Sequence, residues 1–412
     1  MAWQAVSANG GQFFTFMRKL ILAVGLLVVS LLATQPVQAN ISSVPVYYNT
    51  SSATTNLNTL DRVGSNGGSQ TTLFTASGSP VHCTAMAVDG LNGKLFFIDA
   101  TDKSIWSVNL DGSGLTRIQS GVTSYPTDLV LDVLNEQIYF TTSSTIQNNN
   151  TVQRMDYTGS NLTTLFTATG GSGVSRCTAL AVDVAHSKMF VADVGTKTIW
   201  SMSLAGGSAT ALVTITNAYP TDLAAEPTSQ MVYFTVSSTV QTNNCLQRVS
   251  YGGANVGYGI PGLTTLFTAS GSVQRCTALD LDVAHSAIYL SDAGNNAPAL
   301  WRIPLGGGSA SSILSGLTAT AKKVRYYSGQ TTRPAPALTG ISLSGGNVVL
   351  NATNGIAGGT YYVLTSTNVA APLSQWLPVF TNVLSTSGSF ILTTTNGFSS
   401  ASSQQFYILQ VH

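Results

Sequence analysis

Charged side chains are scarce in this sequence of 412 residues: Asp, Glu, Lys and Arg together make up 8% of it, against about 25% in an average soluble protein. The hydrophobic fraction is an ordinary 44%, so Ser, Thr, Asn and Gly stand in for the missing charges. This composition disfavours long exposed helices and suits short strands joined by many turns. The formal net charge of +1 offers no basic footprint, so we expect no nucleic-acid partner.

Catalytic signatures are also absent from the sequence. It contains no G-x-S-x-G, no H-E-x-x-H and no Gly-rich phosphate loop after a strand, which excludes the commonest serine-hydrolase, zinc-protease and nucleotide-binding patterns. We therefore expect no cofactor, no metal and no catalytic residue. A non-catalytic protein is favoured, and an enzyme is kept as the alternative.

Only one long apolar run is present, and it lies near the N-terminus. Arg18 and Lys19 precede the 14-residue run 20–33, and "TQPVQA" ends at Ala39. This order is typical of a secretory signal, so residues 1–39 are predicted to be a signal peptide, with Met17 as an alternative start. The run is shorter than the roughly 20 residues that span a bilayer. We expect no transmembrane segment in the mature protein and a secreted, periplasmic or cell-surface location.

Nearly the same text occurs three times in the sequence. It reads "HCTAMAVDGLNGKLFFIDATDKSIWSVNL" from His82, "RCTALAVDVAHSKMFVADVGTKTIWSMSL" from Arg176 and "RCTALDLDVAHSAIYLSDAGNNAPALWRIPL" from Arg275. A second text lies between these copies, as "YPTDLVLDVLNEQIYF" from Tyr125 and "YPTDLAAEPTSQMVYF" from Tyr219. Two units of about 47 residues, here called A and B, therefore alternate along the chain.

Each unit contains four short stretches of alternating hydrophobicity, such as "TALAVD", "KMFVAD", "TIWSMSL" and "ATALVTI". Four strands in one unit of this length are typical of a β-propeller blade. Five units are complete, and the parts of a sixth B unit lie at the two ends of the array, from Val46 and from Gly316. The sequence thus predicts an all-β fold. Its six-bladed propeller spans residues 44–329, with pseudo-threefold symmetry and a split closing blade.

The A units carry a family resemblance. The segment "MAVDGLNGKLFFIDATDKSIWSVNLDGSGLTRI" from Met86 resembles the YWTD repeats of low-density-lipoprotein-receptor-type propellers, through its "AVD" strand end, Phe96, Phe97 and Asp99, and its "LDGSG" turn. The resemblance implies a six-bladed ring with carboxylate-mediated contacts between blades. The acidic position is kept in Asp193 and Asp292, whereas the B units carry Thr50, Thr142 and Val236 there.

A second module is predicted after the ring. Pro334 and Pro336 mark a linker over residues 330–336. Residues 337–412 then alternate again and predict a compact β-sandwich of 6 or 7 strands. This part is similar to small C-terminal modules of exported bacterial proteins, which implies attachment to a surface or a partner.

Three of the four cysteines occupy one repeated position, at the start of the innermost strand of each A unit. They are Cys83, Cys177 and Cys276, while Cys245 stands alone. Two interpretations compete: a three-thiolate metal site near the channel mouth, or three small buried side chains. Burial is favoured because Pro126, Pro220 and Ala321 take the same place in the B units.

Candidate ligand-binding residues cluster on the face where the innermost strands begin, since propellers usually bind ligands there. Amides pair with hydroxyls and carbonyls, and aromatic faces pack against apolar ring surfaces. The alternative is that pairs such as Asp128 with Lys323 close the ring and that the amides satisfy loop backbones. The candidate residues are His82, Tyr125, Asp128, Asn149, Asn150, Arg176, Tyr219, Asp222, Asn243, Asn244, Arg275, Lys322 and Lys323.

The hypothesis from the sequence is an exported binding or scaffold protein, expected to be a monomer, that holds a carbohydrate or protein ligand on this face. Two alternatives remain: a metal-dependent, lactonase-like propeller hydrolase, and a structural component of the envelope. Against the hydrolase, the ring that would hold its metal consists here mainly of Thr and Ala. Asp128 and Asp222 also belong to different blades, which we expect to hold them apart across the channel and so to disfavour joint work on one bond.

Overall fold

Alternating Thr-rich and apolar stretches form strands throughout the computed structural model. The described residues are 6–7, 44–52, 54, 57–122, 124–169, 171–253, 262–294, 298–327, 336–344, 347–355, 360–384, 388–395 and 405–411. Almost all of the predicted signal peptide and of the predicted linker lies outside these ranges. Within them no helix is long and apolar enough to cross a membrane. The helical segments of the described residues include the short 3-10 helices Gln147–Asn149, Gln241–Asn243 and Leu373–Gln375.

Two compact units are distinguished along the chain: one of Ile41–Val133 and Gln137–Thr331, and a second that contains Thr332–His412. The first strand, β1 (Val6–Ser7), pairs with the last strand of the chain and is described with the second unit.

The larger unit consists of six four-stranded antiparallel sheets, numbered as blades 1 to 6. In chain order, blade 1 has β2 (Pro45–Ser51), β3 (Thr59–Gly64) and β4 (Thr71–Thr75). Blade 2 has β5 (Ala85–Asp89), β6 (Lys94–Asp99), β7 (Ser104–Asn109) and β8 (Thr116–Gln119). Blade 3 has β9 (Tyr125–Asp132), β10 (Gln137–Ser143), β11 (Thr151–Asp156) and β12 (Thr163–Thr167).

The remaining blades follow the same order. Blade 4 has β13 (Cys177–Asp183), β14 (Lys188–Asp193), β15 (Thr198–Ser203) and β16 (Thr210–Thr214). Blade 5 has β17 (Tyr219–Glu226), β18 (Met231–Ser237), β19 (Cys245–Ser250) and β20 (Leu263–Thr268). Blade 6 has β21 (Cys276–Asp282), β22 (Ala287–Asp292), β23 (Ala299–Pro304) and β24 (Ser311–Leu314). The last strand of this unit is β25 (Thr320–Tyr326).

The closing blade is split between the two ends of the array, as predicted. β25 pairs antiparallel with β2, with Tyr47 opposite Arg325 and Tyr48 opposite Val324. The innermost strands of neighbouring blades contact one another all the way round, from β25 through β5, β9, β13, β17 and β21 back to β25. The predicted all-β propeller is therefore confirmed, and its ends are joined by strand pairing rather than by a covalent link.

A glycine contact repeats at every junction between blades. In the turn before the outermost strand of blade 2, Gly112 has a φ of 87°, and a Cβ there would lie 2.1 Å from the Leu73 carbonyl oxygen of blade 1. Only glycine allows both that backbone conformation and that close approach. Gly67 of blade 1 makes the same approach to Ile313 of blade 6, so the contact runs across the closure as well.

Six apolar cores fill the six spaces between adjacent blades. One of them joins Phe96 of blade 2 with Leu129 and Phe140 of blade 3, and another joins Tyr48 of blade 1 with Tyr289 of blade 6. Each fully buried large side chain contributes about 1.5–3 kcal/mol of transfer free energy. The innermost strands surround the ring axis, so the side chains on their inner sides determine what the central channel contains.

The second unit has two antiparallel sheets. Its strands are β26 (Ala337–Ser344), β27 (Asn347–Gly355), β28 (Thr360–Ser366), β29 (Leu377–Val383), β30 (Gly388–Thr394) and β31 (Phe406–Val411). One sheet has the order β1, β31, β28, β29 and the other β26, β27, β30. Leu350, Tyr361 and Tyr407 are buried in the core between them. This arrangement is the small β domain that the alternation predicted.

Candidate functional site

The upper face of the ring is defined here as the end at which the innermost strands begin. It carries the connections between blades and those between the second and third strand of each blade. The lower face carries the turns between the first and second strands and between the third and fourth. All thirteen candidate residues lie on the upper face or in the channel beneath it.

Lys323 bridges two carboxylates that come from other blades. Its Nζ lies 2.9 Å from Oδ2 of Asp128 and 2.5 Å from Oδ1 of Asp222. Both carboxylates are fully buried, and Lys323 is 5% exposed. The structure thus brings Asp128, Asp222 and Lys323 together across blades 1, 3 and 5, where they bind one another rather than face the solvent. The expectation that the two aspartates are held apart is wrong, because one ammonium group reaches both carboxylates.

A second layer of charge lies one step deeper in the channel. Arg325 is also buried, with Nη1 3.5 Å from Oδ2 of Asp222 and Nη2 3.7 Å from Oδ1 of Asp128. Asp280 of blade 6 accepts hydrogen bonds from the backbone N–H groups of Leu281 (2.9 Å) and Tyr326 (2.7 Å). The sequence analysis missed Arg325 and Asp280, although each lies two residues beyond a channel position on the same strand and therefore on the same side of it.

The channel holds three carboxylates and two cations: Asp128, Asp222, Lys323 and Arg325 are buried, and Asp280 is half-buried. Burial raises the pKa of Asp128, with the Lys323 ammonium opposing the shift. Burial likewise raises the pKa of Asp280, against the opposing charge of Arg325. Removing either cation would therefore leave carboxylates that are costly to keep ionised.

The two channel aspartates also complete backbone hydrogen bonds between blades. Asp128 accepts from the N–H of Leu129 (2.9 Å) and, across the blade junction, from that of Leu180 (3.0 Å). Asp222 makes the equivalent pair of bonds in blades 5 and 6. With every carboxylate oxygen engaged, Asp128 and Asp222 stabilise the ring and present no acceptor to the upper face.

The loop amides of the B blades divide into two kinds. Asn150 is fully buried. It accepts from the N–H of Ser144 (3.0 Å) and donates to the carbonyls of Ser144, Ile146 and Gln147. Asn244 repeats this pattern in blade 5, so both amides hold their own loops. Asn149 and Asn243 are half-buried in the 3-10 helices just before them.

In the A blades, buried aspartates bind the backbone of the loops in place of the asparagines. Asp193, at the end of β14, accepts from the N–H groups of Ser175 (2.6 Å), Arg176 (2.9 Å) and Gly195 (2.8 Å). Asp99 and Asp292 bind the equivalent backbone groups of His82 and Arg275. The carboxylates therefore fix the backbone from which the rim residues His82, Arg176 and Arg275 project.

The rim of the upper face carries two tyrosines, each paired with a lysine. Tyr125 is 54% exposed and Tyr219 is 47% exposed. Lys103 Nζ lies 4.7 Å from the centroid of the Tyr125 ring, and Lys197 Nζ lies 5.0 Å from that of Tyr219. These distances fit cation–π contacts. The lysines were missed in the sequence because each belongs to a turn of the preceding blade.

Two exposed aliphatic side chains stand on the same face. Ile146 in blade 3 and Val240 in blade 5 are both more than half exposed, at equivalent positions of the B loops. Arg176 and Lys322 are also exposed, whereas His82 and Arg275 are half-buried. His82 Nδ1 lies 2.5 Å from the Thr101 hydroxyl. The rim thus presents aromatic, aliphatic and cationic groups to solvent.

All four cysteines are free thiols in the interior. Cys83, Cys177 and Cys276 belong to three different cores between blades, which agrees with the predicted burial. Burial raises the pKa of all four thiols, to about 12 for Cys177 and about 11 for Cys245. In the part of the chain that the structure describes, no three His, Cys, Asp or Glu side chains are grouped so as to hold a metal.

Cysteine accessibility gives a direct check of this packing. In the native protein at pH 8 we expect all four thiols to resist iodoacetamide, because they are buried and almost entirely protonated. In urea all four should react. Peptide mass spectrometry reports each site separately, and rapid native labelling of Cys83, Cys177 or Cys276 would show that the blade cores are open.

Comparisons with known proteins support the propeller fold and assign the chain to no family. The sequence matches no known family of proteins, and a search of curated proteins finds no match either. Among solved structures, a chain from a nidogen/laminin complex superposes with a TM-score of 0.53 at 14% identity, over 68% of this chain and 97% of that one. TolB from Acinetobacter baumannii gives 0.52 at 12% identity, over 69% of this chain and 67% of that one. Likeness at this level of identity concerns the propeller fold alone.

Proposed function

We propose that the protein is an exported binding or scaffold module that holds a carbohydrate or protein ligand on the upper face of its propeller. The observation that carries the proposal is the repeated rim of blades 3 and 5, where Tyr125 and Tyr219 are about half exposed. An exposed tyrosine combines an apolar ring face with a polar hydroxyl, which suits contacts with sugars and with protein surfaces.

The geometry of the channel limits where on the upper face a ligand can bind. Asp128, Asp222 and Lys323 are buried and mutually bonded. The ligand surface that we propose is therefore the rim outside the channel mouth: Tyr125 and Tyr219 with their lysines, the aliphatic loop residues, and the cations around them. Asn150 and Asn244 stay with their loops and support this surface from below.

The fold and its relatives are consistent with this role. One similar chain was solved in a complex of nidogen with laminin, and another is a TolB. We further propose that the blades are of the YWTD type, since Asp99, Asp193 and Asp292 bind the connections between blades as that resemblance implies. The predicted export, the monomeric state and an attaching role of the C-terminal unit belong to the same proposal.

The proposal is tested with a glycan array. The fluorescently labelled full chain is applied beside the double variant Tyr125→Ala/Tyr219→Ala. Each lost tyrosine should weaken binding of a glycan hit about tenfold, since a stacking contact contributes roughly 1–1.5 kcal/mol. The matched control is Val184→Ala/Val283→Ala, which removes two exposed aliphatic side chains from the lower face.

The outcomes separate this function from its alternatives. Binding that falls in the tyrosine variant and persists in the lower-face variant supports the upper face. Binding that survives loss of both tyrosines would place the ligand elsewhere. Hydrolysis of a lactone that requires added Ca²⁺ would replace the binding function by the hydrolase.

A further inference from the structure

The propeller distributes its charges unevenly between its two faces. The upper face carries five cationic side chains besides Arg117: Lys103, Arg176, Lys197, Arg275 and Lys322. The lower face carries the cations Lys94 and Lys188 and eight of the sixteen carboxylates of the chain: Asp89, Asp111, Asp132, Glu136, Asp156, Asp183, Glu226 and Asp282. The net charge of +1 conceals this uneven distribution.

The five upper cations are not neutralised locally. Among the residues that the structure describes, none of the five forms an ion pair. The upper-face carboxylates Asp99, Asp193 and Asp292 are buried, each bound to backbone N–H groups. Asp102 is bound to Arg117. Partial burial lowers the pKa of the Lys322 ammonium group, and the positive charge of Arg275 lowers it further.

The cations recur with the tyrosines as a repeated group. Lys103 lies over Tyr125, and Thr127, two residues further on, donates to the Cys177 carbonyl (3.2 Å) next to Arg176. The lysine–tyrosine contact of blades 2 and 3 is thus followed, at the next blade junction, by an arginine of blade 4. The same group recurs in blades 4, 5 and 6, with Lys197, Tyr219 and Arg275, through the Thr221 bond to Cys276 (3.4 Å).

The two lysines hold an unusual backbone conformation. Lys103 has a φ of 54° and Lys197 a φ of 58°, in the left-handed region where glycine or asparagine is the usual residue. A lysine at both positions keeps a cation over the ring of each rim tyrosine. The contact also orients each tyrosine before any ligand arrives, which reduces the entropy lost on binding.

We propose that the ligand of the upper face is an acidic polysaccharide, an inference that rests on the proposed binding function. Unpaired cations attract a ligand with regularly spaced carboxylates or sulfates, and the tyrosine faces suit the apolar side of a sugar ring. Two copies of one lysine–tyrosine–arginine group on a single rim match a ligand that itself repeats. A folded acidic protein does not repeat in this way, and a chain with 8% charged residues and a net charge of +1 offers no basic footprint for a nucleic acid.

The experiment uses the full chain and three acidic polymers, polygalacturonate, alginate and a sulfated galactan. Each is compared with its neutral counterpart, the methyl ester or the desulfated form, by biolayer interferometry. At least one acidic form should bind at least tenfold more tightly than its neutral partner. Its affinity should fall about tenfold or more from 0.05 to 0.5 M NaCl, because salt screens exposed charges. Arg176→Glu and Lys322→Glu should each weaken it about tenfold, with Lys188→Glu on the lower face as the unchanged control.

Several results would overturn the inference. If no acidic polymer binds at least tenfold more tightly than its neutral counterpart, the charge argument is wrong. If the glycan array nevertheless shows binding that depends on the tyrosines, the proposed binding function remains and only the acidic ligand is excluded. Tighter binding of poly-glutamate or of an oligothymidylate would assign the face to an acidic protein or a nucleic acid. An equal loss in Lys188→Glu would show that only overall charge matters.

Discussion

Replacing Lys323 by methionine is expected to lower the free energy of unfolding by about 3–5 kcal/mol, the range for breaking a buried ion pair on one side. The side chain keeps its length and loses its charge. Asp128 and Asp222, both fully buried, would then share the channel with Arg325 alone. Urea unfolding of the full chain at pH 7, followed by tryptophan fluorescence, measures the difference.

The adjacent residue supplies a matched control. Lys322 is exposed and makes no ion pair among the described residues. Lys322→Met should therefore change the stability by no more than about 0.5 kcal/mol. A loss below about 1 kcal/mol in Lys323→Met, or equal losses in the two variants, would show that the channel charges are hydrated rather than buried.

The same variant has a pH signature. Burial already raises the pKa of Asp128, and loss of the Lys323 ammonium should raise it further. A carboxylate whose pKa is higher in the folded than in the unfolded state favours folding at low pH, and this contribution is lost as pH rises through the folded pKa. The stability deficit of Lys323→Met should therefore narrow as pH is lowered from about 7 to about 5.

A structural role of the channel charges has a consequence for function. If Lys323 closes the ring, ligand binding should depend on Tyr125 and Arg176 and remain after conservative changes in the channel that leave the fold intact. The ion network and the binding rim then form two layers. The inner layer holds blades 1, 3 and 5 together, and the outer layer presents the side chains that contact the ligand.

The architecture was predictable because its signals are local and repeated. Period-2 alternation marks each strand, and the repeated text marks each blade. The split closing blade followed from one text fragment at each end, from Val46 and from Gly316. The observed register of β2 and β25, with Tyr48 opposite Val324, agrees with that reading.

The site was less predictable, since it depends on side-chain environment. Lys322 and Lys323 are neighbours in sequence, but Lys322 is skipped at the register shift between β2 and β25 and is exposed, whereas Lys323 is buried between two carboxylates. Asn149 and Asn150 are also neighbours, but only Asn150 is turned back onto its loop. Lys103 escaped notice since its partner Tyr125 belongs to the next blade.

Ending the chain at Ala319, which removes β25 and all that follows, is expected to abolish folding of the propeller. The loss leaves one edge of β2 without its partner strand along residues 46–51, exposes Tyr48, and removes both channel cations from Asp128 and Asp222. Together these effects exceed the roughly 5–15 kcal/mol that stabilise a typical domain. The truncated chain should show no cooperative thermal transition in circular dichroism.

Two further chains test whether the ring needs β25 itself or needs it at the C-terminal end of the array. A chain ending at Pro336 keeps β25 and should retain the transition of the ring. In a second chain, residues 316–326 are moved in front of residue 46 and joined to it by a four-residue turn like residues 184–187. That turn joins β13 to β14 at the equivalent register, since Asp183 lies opposite Lys188 as Tyr326 lies opposite Val46. Because it restores the same strand pairing, it should fold with its ends between blades 6 and 1. If the chain ending at Ala319 folds, or this rearranged chain does not, closure by β25 cannot be what holds the ring.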